Sequence, residues 1–222
     1  MTLYGSGPQN GPMTPRESTV FAMQTNGPVP IESRALGTLS YIRASMDAAS
    51  SLAVPGSAGI LMGSIGATAA ALASVPALRG WWLEIWLVAA VVAFLLGAAL
   101  VARQASQRGG VLISTPIRKF VLCLCPALLG GGVLTLVFWQ ADLQKLIPGT
   151  WLLLYGCAVI SASTVINAMS LRLVASMGTL FAALGIAAFA LPPAAHTFIL
   201  AGGFGALHLI FGILIGRQNR GE

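Results

Sequence analysis

Six long apolar stretches, separated by short segments rich in helix breakers or charges, occupy the chain beyond residue 56. Each stretch holds about 20 residues, which is the length that an α-helix needs to cross a hydrocarbon core about 30 Å thick. The short connections favour pairing of consecutive helices into three hairpins. The pattern therefore predicts an all-α membrane protein, a bundle of six transmembrane helices at residues 57–77, 81–102, 119–139, 150–169, 173–191 and 197–216.

Apolar residues follow a different spacing before the first long apolar stretch. Apolar residues recur there every three or four positions, which places them on one face of a helix: Leu36, Leu39, Ile42, Met46, Ala49 and Ala53. A short amphipathic helix at the membrane surface fits this pattern. An ordinary packing helix beneath the bundle is the alternative. Val54-Pro55-Gly56 then ends the helix, so residues 31–56 form a surface helix and a linker.

The two ends of the chain carry no apolar period. Residues 1–30 are rich in Gly and Pro and lack the apolar core of a secretory signal, so we expect a disordered tail there. The transmembrane domain then covers residues 57–216, and residues 217–222 form a carboxyl-terminal tail.

Composition excludes an ordinary soluble domain. Hydrophobic residues make up 56% of the chain and charged residues only 8%, whereas a soluble domain carries about 25% charged residues. The lipid bilayer is therefore the expected partner of most of the surface. The net charge of +6 does not indicate a nucleic-acid partner, because the basic residues lie mainly in the gaps between apolar stretches.

The basic residues instead predict an orientation. With the amino terminus inside, two basic residues fall on outer segments, Arg79 and Lys145. Ten fall on inner segments, namely Arg16, Arg34, Arg43, Arg103, Arg108, Arg118, Lys119, Arg172, Arg217 and Arg220. This bias follows the positive-inside rule and predicts that both termini lie in the cytoplasm.

Tryptophan positions give an independent indication of the same helix ends. Trp side chains prefer the interface between membrane and water, where the ring is buried and the N–H is wet. All five lie at predicted outer helix ends and are candidate interface anchors: Trp81, Trp82, Trp86, Trp139 and Trp151.

Small residues recur at helical spacing on the first and last predicted helices. They are Gly59, Gly63 and Ala67 on the first helix and Gly205, Gly212 and Gly216 on the last. Small residues let two helices approach closely in lipid, where packing drives association. We expect close packing within the chain. A seam between two copies of the chain, and hence a homo-oligomer, is the alternative.

His208 is the main candidate for a functional polar site. It lies near the middle of the last predicted helix and shares a face with Gly205 and Gly212. An ionisable residue within the membrane is a hypothesis of function in itself, as a pH sensor or a proton relay. The alternative is a neutral histidine that is hydrogen-bonded to a nearby hydroxyl. Its partner would then be Thr68, Ser163 or Thr164.

Asn167 is the second polar candidate, near the inner end of the fourth predicted helix, where a polar link between helices is its default role. No phosphate-binding loop, zinc-protease motif or nucleophile elbow occurs in the sequence. Cys123 and Cys125 point about 200° apart on a helix, so they do not form a metal site. We therefore expect no catalytic residue, no metal, no cofactor and no enzymatic activity.

Several segments resemble a family of small bacterial six-helix membrane proteins that has no established activity. The resemblance covers about residues 35–218. It implies the six-helix architecture and a place in a bacterial inner membrane, without a function. Its most specific parts are Pro148-Gly149-Thr150-Trp151-Leu152-Leu153-Leu154-Tyr155-Gly156 and Gly203-Phe204-Gly205-Ala206-Leu207-His208. Its other parts are Tyr41-Ile42-Arg43, Met46, Val54-Pro55-Gly56, Pro116, Arg118-Lys119-Phe120 and Phe211-Gly212.

Three functions remain open from the sequence. The first is a non-enzymatic sensor that binds an apolar or amphipathic molecule, or reports membrane state, to a cytoplasmic protein through residues 31–53 and the inner loops. The second is a small transporter or channel for an apolar or neutral solute, lined by His208, Asn167 and the glycine-rich helices. The third is a lipid-acting enzyme, which ranks last because two histidines and six acids supply few catalytic groups.

Overall fold

The structure is a computed structural model that describes residues 36–42, 54–107, 115–218 and 220–221. The chain divides into two units, Met1–Ile42 and Arg43–Glu222. In the first unit, residues 36–42 form helix α1, where the Ser40 hydroxyl donates to the carbonyl of Gly37 at 2.8 Å. The predicted tail and most of the predicted surface helix lie outside the described residues.

The described part of the second unit is a bundle of long apolar helices. Five of them are α2 (Gly56–Ala73), α3 (Trp82–Gln107), α4 (Thr115–Gln140), α5 (Ile147–Ser163) and α6 (Ala168–Ala190). The last helix has three parts, α7 (His196–Leu200), a π-helical segment (Ala201–Leu207) and α8 (His208–Gln218). Within the described residues, six helices are long and apolar enough to cross a membrane, so the predicted six-helix architecture is confirmed.

Several predicted helix ends are wrong by four residues or more, and local chemistry explains two of them. The first helix ends at Ala73 instead of residue 77, because Pro76 restricts the residue before it and opens a 3₁₀ turn, Pro76–Trp81. The fourth helix ends at Ser163 instead of residue 169. There the hydroxyls of Ser163 and Thr164 donate to carbonyls three residues back, at 2.6 and 2.7 Å. Such bonds compete with helix continuation.

Contacts between glycine backbones hold α2 against the last helix. A Cβ atom added to Gly59 would lie 2.8 Å from the Cα of Gly212, and one added to Gly63 would lie 2.7 Å from the backbone nitrogen of Leu209. Neither distance is tolerated by a real side chain. Glycine at these positions therefore lets two backbones touch, which is how helices associate in lipid.

The other small residues predicted for packing extend this line of contacts between α2 and the last helix, which we call the α2 seam. A Cβ on Gly205 would lie 3.4 Å from the backbone nitrogen of Ala67, and one on Gly216 would lie 3.9 Å from the Cα of Gly56. Both are looser approaches than at the centre of the seam. The predicted small-residue faces of the first and last helices thus meet each other within one chain.

A second glycine seam joins α5 to α6. A Cβ on Gly156 would lie 2.7 Å from the carbonyl oxygen of Gly178, and one on Gly185 would lie 2.9 Å from that of Gly149. On each helix the two glycines are seven residues apart, which returns them to nearly the same face after two turns. The α5–α6 pair is the most extensive helix contact in the described structure.

Helices α3 and α4 lie at the periphery of the bundle. Only 11% of the most apolar stretch of each is buried, against 56% for the span that contains α5. Helix α3 packs chiefly on α2, and α4 packs chiefly on α5. Because no extensive contact joins α3 to α4 among the described residues, the two helices leave a cleft between them.

The α2 seam gives a direct test of glycine-dependent packing. We expect Gly212→Ala to lower the free energy of unfolding by about 1–3 kcal/mol, because its Cβ would lie 2.6 Å from the backbone nitrogen of Ile60. Gly202→Ala is the matched control on the same helix, since no described atom lies within 4 Å of its added Cβ. Thermal unfolding in detergent measures both, and equal melting temperatures would contradict the seam.

Candidate functional site

The candidate site is built around one hydrogen bond between two helices. The Tyr155 hydroxyl, in the middle of α5, lies 2.8 Å from Nε2 of His208, the first residue of α8. His208 is only 4% exposed. A polar pair at this depth is stabilised because an unpaired polar group in an apolar surrounding is costly.

Aromatic rings surround this pair. Phe181 on α6 meets Tyr155 edge to face at a centroid distance of 4.8 Å and meets His208 in the same way at 5.1 Å. Phe204 stacks on His208 at 6.2 Å, and Trp86 on α3 lies 6.4 Å from Phe204. We call these five residues the aromatic cluster. It joins four helices, and each favourable ring pair adds about 0.5–1.5 kcal/mol beyond its buried area.

The π-helical segment ends immediately before His208. It contains Gly202, Gly203 and Gly205, and glycine is the residue that weakens a regular α-helix most after proline. Short π-helical turns occur often at functional sites because they shift the side chains that follow them. Here the segment sets the position of His208 on the face that Tyr155 reaches.

Nε1 of Trp86 is a buried nitrogen atom of the aromatic cluster without a hydrogen-bond partner within the described structure. Nδ1 of His208 makes no hydrogen bond of good geometry either, but the backbone carbonyls of Gly203 and Phe204 lie close enough to the imidazole ring to interact with it. A buried polar atom without a partner costs about 1–3 kcal/mol, so Trp86 has unused hydrogen-bonding capacity.

Two adjoining cavities lie in the cleft between α3 and α4. The first has a volume of about 260 Å³ and the second about 230 Å³. Five residues line both cavities and mark their junction: Met62, Phe94, Leu124, Tyr155 and His208. Together the cavities reach the volume of small-molecule sites, which begins at about 300 Å³.

The cavities follow one another along the helices. Trp86 near the beginning of α3 and Thr135 near the end of α4 line the first cavity. Val101 near the end of α3 and Ile117 near the beginning of α4 line the second. The two helices therefore run in opposite directions along the cleft, and the Tyr155–His208 pair lies halfway along it.

The walls of both cavities are almost wholly apolar. No Asp, Glu, Lys or Arg is among the lining residues of either cavity. No group of three or more metal-ligating side chains occurs among the described residues. The site therefore offers hydrogen bonds and aromatic faces in an apolar surrounding.

Two tryptophans near the first cavity hold neighbouring helices by hydrogen bonds. The indole N–H of Trp151 donates to the Thr135 hydroxyl at 2.7 Å and so links α5 to α4. The indole N–H of Trp82 donates to the Thr197 hydroxyl at 2.9 Å and links α3 to α7. Both bonds fix the end of the cleft that lies away from the second cavity.

The remaining tryptophans occupy different surroundings. Trp81 and Trp139 are 62% and 50% exposed at helix ends, whereas Trp86 is only 3% exposed inside the bundle. Trp86 is therefore part of the cavity wall, in addition to lying near the beginning of α3.

The two predicted polar residues, Asn167 and His208, have different roles in the structure. Asn167 lies in the turn between α5 and α6, where its side-chain oxygen accepts a hydrogen bond from the backbone N–H of Ser170 at 3.2 Å. It is thus an N-cap of α6. It is not a lining residue of either cavity, while His208 lines both.

The predicted hydroxyl partners of His208 are wrong. Thr68 donates to the carbonyl of Ser64 at 2.9 Å, and Ser163 and Thr164 also bond to their own helix. Tyr155 is the actual partner. Its one signal in the sequence was its place in one of the two most specific segments of the expected resemblance. His208 lies in the other.

No protein-family model, curated protein or solved structure matches the chain, so the resemblance to a bacterial six-helix family stays a prediction. The proposed function therefore rests on the geometry of the cleft and its lining.

A double-mutant cycle measures the Tyr155–His208 bond. We compare Tyr155→Phe, His208→Leu and the double variant by reversible unfolding in mixed micelles. Because each single change leaves the other polar group unpaired, the double variant should lose less stability than the sum of the two. We expect a coupling energy of about 0.6–1.7 kcal/mol, the range for hydrogen bonds between membrane helices. Additive losses would show that the bond contributes no stability.

Proposed function

We propose that this chain is a non-enzymatic membrane receptor that binds an apolar or amphipathic small molecule between α3 and α4. Binding is relayed to a cytoplasmic protein through residues 31–53 and the inner loops. The observation that carries the proposal is a pair of adjoining apolar cavities with one buried hydrogen-bonding pair, Tyr155 and His208, at their junction. Concave apolar sites with a few convergent polar groups are typical of ligand binding.

Access to the cleft supports the proposal. The rim of the first cavity includes exposed apolar residues on both helices, among them Leu87 and Phe94 on α3 and Leu128 on α4. In a bilayer this rim faces the acyl chains. A ligand that partitions into the membrane can therefore reach the cleft from the side.

The link to a cytoplasmic partner is supported by the second cavity. Val54, Pro55 and Gly56 line it, and these residues directly follow the predicted surface helix at residues 31–53. A molecule in this cavity therefore contacts the point where the cytoplasmic segment enters the bundle. The relay requires that the bound ligand interact more favourably with one position of that segment than with another, as every population shift does.

The proposed topology places this relay on the inner side. The excess of Lys and Arg on alternate segments favours three hairpins with both termini in the cytoplasm of a bacterial inner membrane. Val54, Val101 and Ile117 belong to helix ends that are inner under this topology. The second cavity then lies in the cytoplasmic half of the bilayer.

Transport of a neutral solute is the second candidate, and one observation favours it. The two cavities follow one another along the depth of the bundle and share the junction at Tyr155 and His208. A solute that moves from one cavity to the other would cross that junction. The absence of carboxylates from both linings argues against coupling such movement to ions.

A cavity-obstructing variant tests the proposed receptor. Gly132 is an exposed residue that lines the first cavity, and no atom of another helix lies within 4 Å of its added Cβ, so Gly132→Leu places a side chain at the opening of the cavity and obstructs it without a backbone clash. Gly130→Leu is the matched control, because Gly130 is equally uncrowded but is not a lining residue. We expect native mass spectrometry of protein extracted gently from host membranes to detect a bound small molecule in the wild type and in Gly130→Leu only.

The same preparations separate the candidate functions. A stoichiometric cytoplasmic protein that is retained with the ligand, and lost when residues 31–53 are deleted, supports the receptor. Flux of a bound solute across liposomes, abolished by Gly132→Leu, supports transport. A small molecule held equally by the wild type and both glycine variants would remove the cleft from the mechanism.

A further inference from the structure

We infer that the ligand of the cleft is a neutral amphiphile with one hydroxyl group at the end of an apolar chain, and that this hydroxyl bonds to Tyr155. The inference rests on the proposed receptor function and adds the chemical class of its ligand. It follows from three features of the cleft: the charge of its walls, the proton count of the Tyr155–His208 pair and the shape of the cavities.

The charge of the walls excludes an ionised head group. No Asp, Glu, Lys or Arg side chain lines either cavity, and the imidazole of His208, which lines both, is already bonded to Tyr155 through Nε2. A carboxylate, phosphate or ammonium group within an apolar wall would be buried without a partner of opposite charge, which costs far more than burying a neutral group. The complementary ligand is therefore uncharged.

Tyr155 keeps one unused hydrogen-bonding function whichever of the two groups donates in its bond to His208. A neutral imidazole and a phenol carry two donor hydrogens, and the single bond between Tyr155 and Nε2 uses one of them. If Tyr155 donates, its oxygen still accepts a bond. If Nε2 donates, the Tyr155 hydroxyl hydrogen remains free. A ligand hydroxyl both donates and accepts, so it satisfies Tyr155 in either tautomer, whereas a carbonyl satisfies it in only one.

Other polar groups near the first cavity are already engaged or shielded. The Thr135 hydroxyl donates to the Gly131 carbonyl at 2.7 Å and accepts from the indole of Trp151. The Trp86 indole nitrogen has no partner, but it is itself buried. Tyr155 is thus the polar group of the cleft that is best placed to form a hydrogen bond with a ligand oxygen.

The shape of the cavities fits a chain. Tyr155 and His208 lie at the junction, and an apolar cavity extends from them along α3 and α4 in each direction. The first cavity opens at its side past Leu87 and Leu128, which are exposed apolar residues. A hydroxyl at the junction with its apolar chain in the first cavity satisfies the polar pair and keeps the chain in contact with apolar walls.

Three probes of equal chain length test the ligand class. They are ω-bromododecanol, bromododecane and ω-bromododecanoate, each added to the full-length protein in nanodiscs. Bromine quenches tryptophan fluorescence at short range, and Trp86 and Trp151 both line the first cavity. The quenching that remains in Gly132→Leu is subtracted as the contribution of the surrounding lipid. Gly130→Leu serves as the control for the substitution itself.

We expect saturable quenching by the bromoalcohol, and weaker quenching by the other two probes. Tyr155→Phe should weaken binding of the bromoalcohol about tenfold, the effect of one hydrogen bond, and leave the bromoalkane unchanged. The bromoalkane is the internal control for folding, because a variant with a distorted cleft would lose both probes together. In that case Tyr155→Phe is replaced by competition, with dodecanol displacing the bromoalcohol and dodecane failing to do so.

The outcomes separate this inference from the proposed function. Equal binding of the bromoalcohol and the bromoalkane, both lost in Gly132→Leu, would overturn the hydroxyl inference and leave the receptor intact. Tighter binding of the bromocarboxylate would overturn the neutral class. Quenching by every probe that is identical in the wild type and Gly132→Leu would refute the cleft as a binding site, and the proposed function with it.

Discussion

The structure depends on direct contact between helix backbones at glycine. In a bilayer the lipid is as apolar as the helix surface, so close packing and hydrogen bonds hold helices together. Gly59 and Gly212 bring α2 against the last helix, and Gly156 and Gly178 bring α5 against α6. These contacts fix how the helices slide and rotate against each other, because a Cβ at any of the four positions would collide with backbone or with an adjacent side chain.

The glycine seams also position the polar pair. The last helix is held by α2 on one side, and on its other side His208 bonds to Tyr155 of α5. The π-helical segment adds a local change of helical pitch just before His208. Since α2, α5, α6 and the last helix form the tightly packed centre, α3 and α4 each contact one side of it. The cleft is the space that this arrangement leaves between them.

Hydropathy and composition were sufficient to predict the six helices, because lipid imposes a minimum apolar length that few other structures need. The ends were harder to predict, since Pro76 and the Ser163–Thr164 hydroxyls ended helices inside stretches that were apolar on average. Gly149 and Gly156 are seven residues apart in the sequence, and so are Gly178 and Gly185. The matching spacing of the two pairs indicates that α5 and α6 pack through their glycines.

The Tyr155–His208 pair could not be predicted from spacing. Its members are 53 residues apart, and which helices become neighbours is decided by backbone contacts that hydropathy does not report. The small-residue face that contains Gly205 and Gly212 did indicate that His208 points into the bundle. That face does not identify the hydrogen-bond partner of His208. Its glycines pack against α2, whereas the partner, Tyr155, belongs to α5.

A high-resolution cryo-electron microscopy map of the protein in lipid nanodiscs, with a bound antibody fragment to aid alignment, tests the central claim most directly. The account predicts that α3 and α4 remain apart, and that elongated density fills the cleft and approaches the Tyr155 hydroxyl. Direct packing of α3 on α4, with Tyr155 and His208 enclosed and no cleft between the helices, would contradict it.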